Sequence, residues 1–171
     1  MPRIAVIGTS GSGKTTVARE LARRHGVPYV ELDALNHGPG WTETPEEEFQ
    51  RRVAAVTDGS GWVVDGNYER KLGDLVLERA DTVVWLDLPL RVALTRVTRR
   101  TIGRIRTGEE LWNGNRESWR LGFFGWESMF VWTIRSHLRS RQVRAERLRR
   151  HPGLRVVRLR SPREVASYLS D

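Results

Sequence analysis

The run Gly8-Thr9-Ser10-Gly11-Ser12-Gly13-Lys14-Thr15 sets three glycines, a lysine and several hydroxyls close together. Glycines 8, 11 and 13 open backbone angles closed to residues with a Cβ, so successive N–H groups can converge on one anion. An apolar segment of strand length, Arg3 to Ile7, precedes the run, and a helix-period segment, Lys14 to His25, follows it. The positive end of that helix then lies beneath the same anion. The spacing is G-x-x-x-x-G-K-[ST], whose lysine reaches the β- and γ-phosphates of a nucleotide and whose hydroxyl meets Mg2+. A glycine turn that merely joins strand to helix explains neither Lys14 nor the hydroxyls. The expected contacts to ATP are Gly8, Ser10, Gly11, Ser12, Gly13, Lys14, Thr15 and Thr16, with Thr15 on the metal.

A phosphoryl-transfer site also needs a carboxylate for the metal or its waters and a group to orient the acceptor. Three apolar runs end in aspartate: Val30-Glu31-Leu32-Asp33, Val63-Val64-Asp65 and Trp85-Leu86-Asp87. Carboxyl ends of parallel strands open onto one crevice, which puts all three groups on the ligand edge of a sheet. Which of them serves the metal depends on strand order, and the residues alone do not supply it. Asp87, just before Pro89, reads as a cap or turn and is left out of the site. The four histidines, His25, His37, His137 and His151, have no zinc-ligand spacing, and no nucleophile elbow or triad setting is present.

Positioning these groups requires alternating strands and helices, and the chain supplies them. Strands are expected over Arg3–Ile7, Tyr29–Leu32, Trp62–Asp65, Thr82–Asp87 and Leu154–Leu159, apolar enough to be covered on both faces. Thr44-Pro45-Glu46-Glu47 and Ser161-Pro162-Arg163-Glu164 both look like capping boxes with proline at the first helical position. From Leu90 to about Arg150 the pattern is helix, a loop through Gly103 to Gly114, then further helix. One domain over residues 1–171 is the expectation, with no repeat or linker. No long apolar run or leader pattern is seen, which points to a cytoplasmic protein, and the absence of cysteine excludes disulfides and thiolate chemistry.

The net charge of +8 is unevenly placed: residues 91–160 hold 18 Arg against 5 Glu and no Asp or Lys. A solvated arginine-rich face, a phosphate-clamping lid and a polyanion-binding surface all fit that excess. Arg96 and Arg100 are spaced i, i+4 and so share one helix face. Glu110-Leu111-Trp112-Asn113-Gly114-Asn115-Arg116 gathers amides around a glycine beside tryptophan. It reads either as a wall for a polar, ring-bearing acceptor or as a helix-capping turn whose tryptophans cover the core.

Taken together, GTSGSGKTT, ELDALNHGPGW, WVVDGNY, VVWLDLPLRVALTRVTRRT and ELWNGNRESW resemble the adenylate-kinase-like P-loop proteins known in bacteria as topology modulation proteins. Nucleoside monophosphate kinases and shikimate-kinase-like enzymes are related to them. The resemblance implies an α/β P-loop NTPase fold of three layers, with a five-stranded parallel sheet in the order 2-3-1-4-5 and an arginine-rich helical lid within about residues 101–150. That order sets the third strand beside the first, so Asp65 faces the phosphate loop as a Mg2+-shell or acceptor-orienting group, a helix cap being its other reading. Asp33 matches a substrate-side aspartate, and Arg96 and Arg100 match an R-x-x-x-R pair at the lid entrance. Lys14, Asp65, Asp33, Arg96 and Arg100 are thus the expected catalytic set. Asn67 and Tyr68 stand where adenylate kinases carry a Phe-Pro-Arg acceptor segment, which argues against adenylate as acceptor. They join Asp33, Trp112, Asn113, Asn115 and Arg116 as expected acceptor contacts. The implied activity is transfer of the γ-phosphoryl group of ATP to a small hydroxyl- or phosphate-bearing molecule. The alternative is a nucleotide-switched regulator that binds nucleic acid.

Overall fold

Valine, isoleucine and tryptophan dominate five short runs, and each becomes a strand because β-branched and aromatic side chains fill both faces of a covered sheet. In the computed structural model, which describes residues 1–115 and 129–170, these are β1 (Arg3–Gly8), β2 (Tyr29–Glu31), β3 (Trp62–Asp65), β4 (Thr82–Leu86) and β5 (Arg155–Leu159). All neighbours are parallel and the order is β2-β3-β1-β4-β5. The expected P-loop NTPase fold is therefore the observed one, with strand limits within a residue of those read from the pattern.

Alternation along the strands sends side chains to two helical layers. Ile4, Val6, Val63 and Val84 pack with Val17 and Leu21 of α1 (Lys14–His25), and α8 (Pro162–Ser170) lends Val165, Tyr168 and Leu169 to the same layer. On the other face, Val30, Trp62 and Val64 meet Phe49 and Val53 of α3 (Glu46–Val56). Farther along that face, Ala5, Val83 and Trp85 meet Leu77 of α5 (Leu75–Arg79) and Leu148 of α7 (Met129–Arg149). Phe49, Val53 and Trp62 are wholly buried. Each such side chain contributes about 1.5–3 kcal/mol relative to exposure, which makes this packing the main support of the sheet edge. Two short helices, α2 (Leu32–Asn36) and α4 (Glu69–Leu72), follow β2 and β3 directly.

The two expected capping boxes turn out differently. At α8 the box forms: Glu164 N–H donates to Ser161 Oγ (3.1 Å), and Glu164 Oε2 accepts from Arg160 N–H (2.8 Å). At α3 it does not, because Thr44 Oγ1 donates to Leu35 O (3.0 Å) and leaves the helix end to Glu46, Glu47 and Glu48. Their charges suit the positive end of the helix dipole without a side-chain cap. The loop expected from Gly103 is also corrected: α6 runs unbroken over Leu90–Thr107, with Gly108 ending it at φ 63°. No atom lies near a Cβ built at Gly103, so this glycine is an exposed helix residue rather than a breaker. Of the expected lid, α6 and α7 are described, while residues 116–128, with Arg116, lie outside the described residues. Among the described residues no helix is long and apolar enough to cross a membrane.

Candidate active site

Between β1 and α1 the glycine run curls at left-handed angles, φ 78° at Gly11 and 92° at Gly13. A Cβ on Gly11 would lie 2.3 Å from Ala93 O and 2.6 Å from Val97 Cγ2, so the missing side chain is what lets α6 rest on the loop. Helix α6 is fastened there a second way. Arg96 Nη1 donates to Ser12 O at 3.0 Å, tying this arginine to the loop backbone. Arg100, one turn farther, is close enough for its charge to act on Lys14.

Lys14 Nζ donates to Thr9 O at 3.3 Å. Burial holds its ammonium below the usual lysine range, the charges of Asp65 and Asp33 oppose that, and Arg144 and Arg100 add to it. A buried ammonium that has lost its hydration is stabilised by an anion brought beside it, which a triphosphate supplies. Ser12 Oγ is buried in the same loop without a hydrogen-bond partner.

Asp65 ends β3 beside β1, with Val6 as its register partner. Thr15 Oγ1 donates to Asp65 Oδ2 at 2.6 Å, and Tyr29 OH donates to the same oxygen at 3.3 Å. Oδ1 is buried with no hydrogen-bond partner. Burial pushes this carboxyl above the usual aspartate range, against the pull of Lys14 and the Thr15 hydrogen bond. A hydroxyl, a carboxylate and one orphaned buried oxygen are the hard donors that Mg2+ prefers, so Thr15 and Asp65 fit the expected metal.

Asp33 sits in the first turn of α2, across the crevice. Tyr68 OH donates to Asp33 Oδ1 at 2.7 Å, and His37 Nε2 lies 3.2 Å from the same phenol oxygen. With its one hydrogen given to Asp33, the phenol accepts from His37 Nε2–H. Burial and the Asp33 charge raise the Tyr68 hydroxyl, which keeps it a donor.

Four expected acceptor contacts are placed differently. Asn67 spends both ends of its amide on Gly8: Oδ1 accepts from Gly8 N–H (3.1 Å) and Nδ2 donates to Gly8 O (2.5 Å). Asn115 Oδ1 accepts from Trp41 N–H (2.9 Å) while Nδ2 donates to Gly38 O (2.9 Å), and Asn113 Nδ2 donates to His37 O (2.5 Å). Trp112 stacks on His37 at 6.1 Å between centroids and meets Trp41 edge-on at 6.4 Å. The segment Trp112–Gly114 and its flanks therefore form neither a free amide wall nor a helix cap. They clasp the loop after Asp33: the buried Asn115 and the exposed Asn113 both bind backbone groups that an irregular loop leaves unpaired.

Three features escaped the sequence pattern, all involving α7. Arg144 is 7% exposed and sits 3.5 Å from Glu69 Oε1. His137 Nδ1 lies 3.2 Å from Thr9 Oγ1 in the phosphate loop. Asp87, read as a cap, is instead a buried anchor whose Oδ2 accepts from Arg141 Nη2 (2.8 Å) and Arg158 Nη2 (2.6 Å). Arg158 in turn lies over the Trp85 ring at 4.2 Å. Two arginines converging on one carboxylate gave no signal along the chain, because Asp87 and its partners are more than fifty residues apart.

A family described as an AAA domain, AAA_18, matches residues 4–122, a range holding the phosphate loop, Asp33, Asp65 and α6. The chain belongs to this family. Among curated relatives of this AAA_18 domain, a protein of Thermococcus gammatolerans named, provisionally, as an adenylate kinase is 35% identical over 115 residues, 63% of this chain and 62% of its own. A cytidylate kinase of Pyrococcus abyssi is 30% identical over 112 residues, 57% of this chain and 60% of its own. A shikimate kinase of Symbiobacterium thermophilum is 35% identical over 98 residues, 49% and 56%. The chain thus covers less than two thirds of the length of these relatives. A gluconokinase from Sinorhizobium meliloti superposes with a TM-score of 0.55 at 20% identity, over 99% of this chain and 91% of that one, a likeness of fold.

Proposed function

We propose that this protein is an ATP-dependent kinase that transfers a γ-phosphoryl group to a small acceptor seated against Asp33 and Tyr68. The observation that carries the reading is the phosphate loop itself, where Thr15 holds Asp65 at 2.6 Å and the buried Lys14 feels the charges of both Asp65 and Asp33. Kinase names among the relatives support the reaction class; they span nucleotide and hydroxyl acceptors and leave the acceptor open. The likeness to topology modulation proteins belongs to the same proposal of kinship, as does a single domain over residues 1–171.

Catalysis in such a site is positioning and charge neutralisation. Loop N–H groups and Lys14 hold the β- and γ-phosphates, and Arg96 and Arg100 reach them from α6. Thr15 and Asp65 would hold Mg2+, which would supply charge neutralisation at the site. The acceptor oxygen forms its bond to γ-phosphorus as the bond from γ-phosphorus to the bridging oxygen breaks, and ADP keeps that electron pair. Where the acceptor is a hydroxyl, Asp33 takes its proton. The nucleic-acid reading is weakened by α7, where Arg141, Arg144, Arg147 and Arg149 each have an acidic partner and so are not a free cationic face. The test is an ATP-consumption screen over nucleosides, nucleotides, sugars and hydroxy acids, with product masses measured and Lys14→Ala as control. A product 80 Da heavier than one acceptor, absent with Lys14→Ala, is expected from the mass of an added phosphoryl group, about 80 Da. Salt-sensitive nucleic-acid binding without any such product would replace the kinase with the regulator.

A further inference from the structure

Strands β1 and β3 pair from Arg3 with Trp62 to Val6 with Asp65. Continued two residues, that register sets Gly8 opposite Asn67. The backbone does not continue it: Gly66, at φ 146°, gives a last N–H to Val6 O at 3.4 Å and turns the chain away toward α4. The side chain of Asn67 reaches back instead, and its carboxamide satisfies both backbone groups of Gly8, which a continued parallel ladder would have shared between the residues on either side of Asn67. A carboxamide is a peptide group without its chain, with one oxygen to accept and an N–H to donate. On its other flank Gly8 is paired with Leu86 of β4. A Cβ at Gly8 would stand 2.7 Å from Leu86 O and 2.7 Å from Ser12 Oγ, so the first residue of the phosphate loop is enclosed on both flanks and from within the loop.

We propose that Asn67 is a positioning residue of the phosphate loop, fixing its entry through Gly8 so that the N–H groups beyond stay aimed at the triphosphate. The residues beside Asn67 bear on the same site. Asp65 holds the Thr15 hydroxyl and Tyr68 holds Asp33. Few other side chains can do what Asn67 does. Alanine leaves Gly8 N–H and O without partners in a part-buried place, which costs as much as losing the bonds. Aspartate is worse, because it sets a second acceptor against Gly8 O with no hydrogen between them and adds negative charge beside an anion site.

This proposal rests on the loop being a nucleotide site, and its experiment separates the two. Dissociation constants for Mg·ATP and for inorganic tripolyphosphate are measured for wild type, Asn67→Ala and Asn67→Asp, together with thermal unfolding. Folded variants should bind both ligands more weakly by the same factor, about tenfold for alanine, or ~1.4 kcal/mol, and more for aspartate. Affinities within about twofold of wild type would overturn the proposal, as would a loss confined to temperatures where the variant is already unfolding. Hydrogen exchange at the Gly8 amide of the wild-type chain is read as well. The lock requires protection there, and exchange at the rate of an open amide would overturn it even if no variant folds. Wild type binding neither ligand would remove the nucleotide reading instead, and the Gly8 amide would still judge the lock.

Discussion

Thr15 gives its hydroxyl hydrogen to one oxygen of Asp65 at 2.6 Å, and the other oxygen of that carboxylate is buried with nothing to bind. The pair is matched to a divalent cation: Asp65 can turn its orphaned oxygen to the metal, and Thr15 can offer a lone pair. Asp65→Asn keeps the shape and removes the charge. Turnover at saturating Mg2+ should fall by about 10²-fold or more, on the order of 3 kcal/mol of barrier, while ATP affinity changes far less. Steady-state kinetics with titrated Mg2+ checks this, and a loss within about twofold would remove Asp65 from the metal site.

Arg96 and Arg149 separate a clamp from a surface. Arg96 touches the loop at Ser12 O, whereas Arg149 pairs with Glu146 in the open, both side chains more than half exposed. Arg96→Ala should lower turnover by roughly 10²-fold, the scale of phosphate-clamping groups, with little change in unfolding temperature. Arg149→Ala should leave turnover unchanged, since exposed pairs of this kind contribute almost nothing. Equal, modest effects from both on DNA affinity, with turnover untouched, would favour the polyanion reading.

The sheet was legible because its signals are local. Each strand is an apolar run, the phosphate loop is contiguous, and the helix after it starts at Lys14 as expected. Asp65, Asp33 and Tyr68 reach one crevice because strand ends must. What the pattern could not carry was the partner of each amide and arginine. Asn67 reads as an acceptor contact from its place after the third strand and Asn115 from the amides gathered around Gly114, yet both are taken by backbone left unpaired where strands and turns part. Arg144 and His137 belong to a helix that reaches the loop across more than a hundred residues of chain, a distance no spacing rule spans.

Asp87 tests whether α7 is anchored as the ion pairs indicate. Its carboxylate is 4% exposed, with Arg141 and Arg158 both on Oδ2. Asp87→Ala strands two guanidinium groups that also repel one another. Removing one partner of a buried pair costs about 3–5 kcal/mol, and Arg141 is half exposed, so about 2–3 kcal/mol is expected here. Urea unfolding should register that loss. Asp87→Ala together with Arg141→Met should recover part of it; no coupling in that double-mutant cycle would show that Asp87 does not hold α7.

His137 makes the stability of the chain depend on pH. Its ring nitrogen meets Thr9 Oγ1, and burial lowers its pKa from the ordinary value of 6.5, with Arg141 and Arg144 acting in the same direction and Asp87 opposing. The folded state therefore takes up a proton at this site less readily than the unfolded chain. As pH falls through 6.5 the unfolded chain binds the proton first, so acidification favours unfolding and the stability present above that pH is progressively lost. His137→Gln keeps a neutral polar group near Thr9 and cannot titrate. Unfolding midpoints in urea, measured for both proteins from about pH 7.5 down to about 5.5, should diverge as acid is added, with wild type losing more. The other histidines and the carboxylates are common to both chains and cancel in the difference. Parallel curves would mean that His137 is as easily protonated folded as unfolded, and that burial in the fold does not disfavour its charged form.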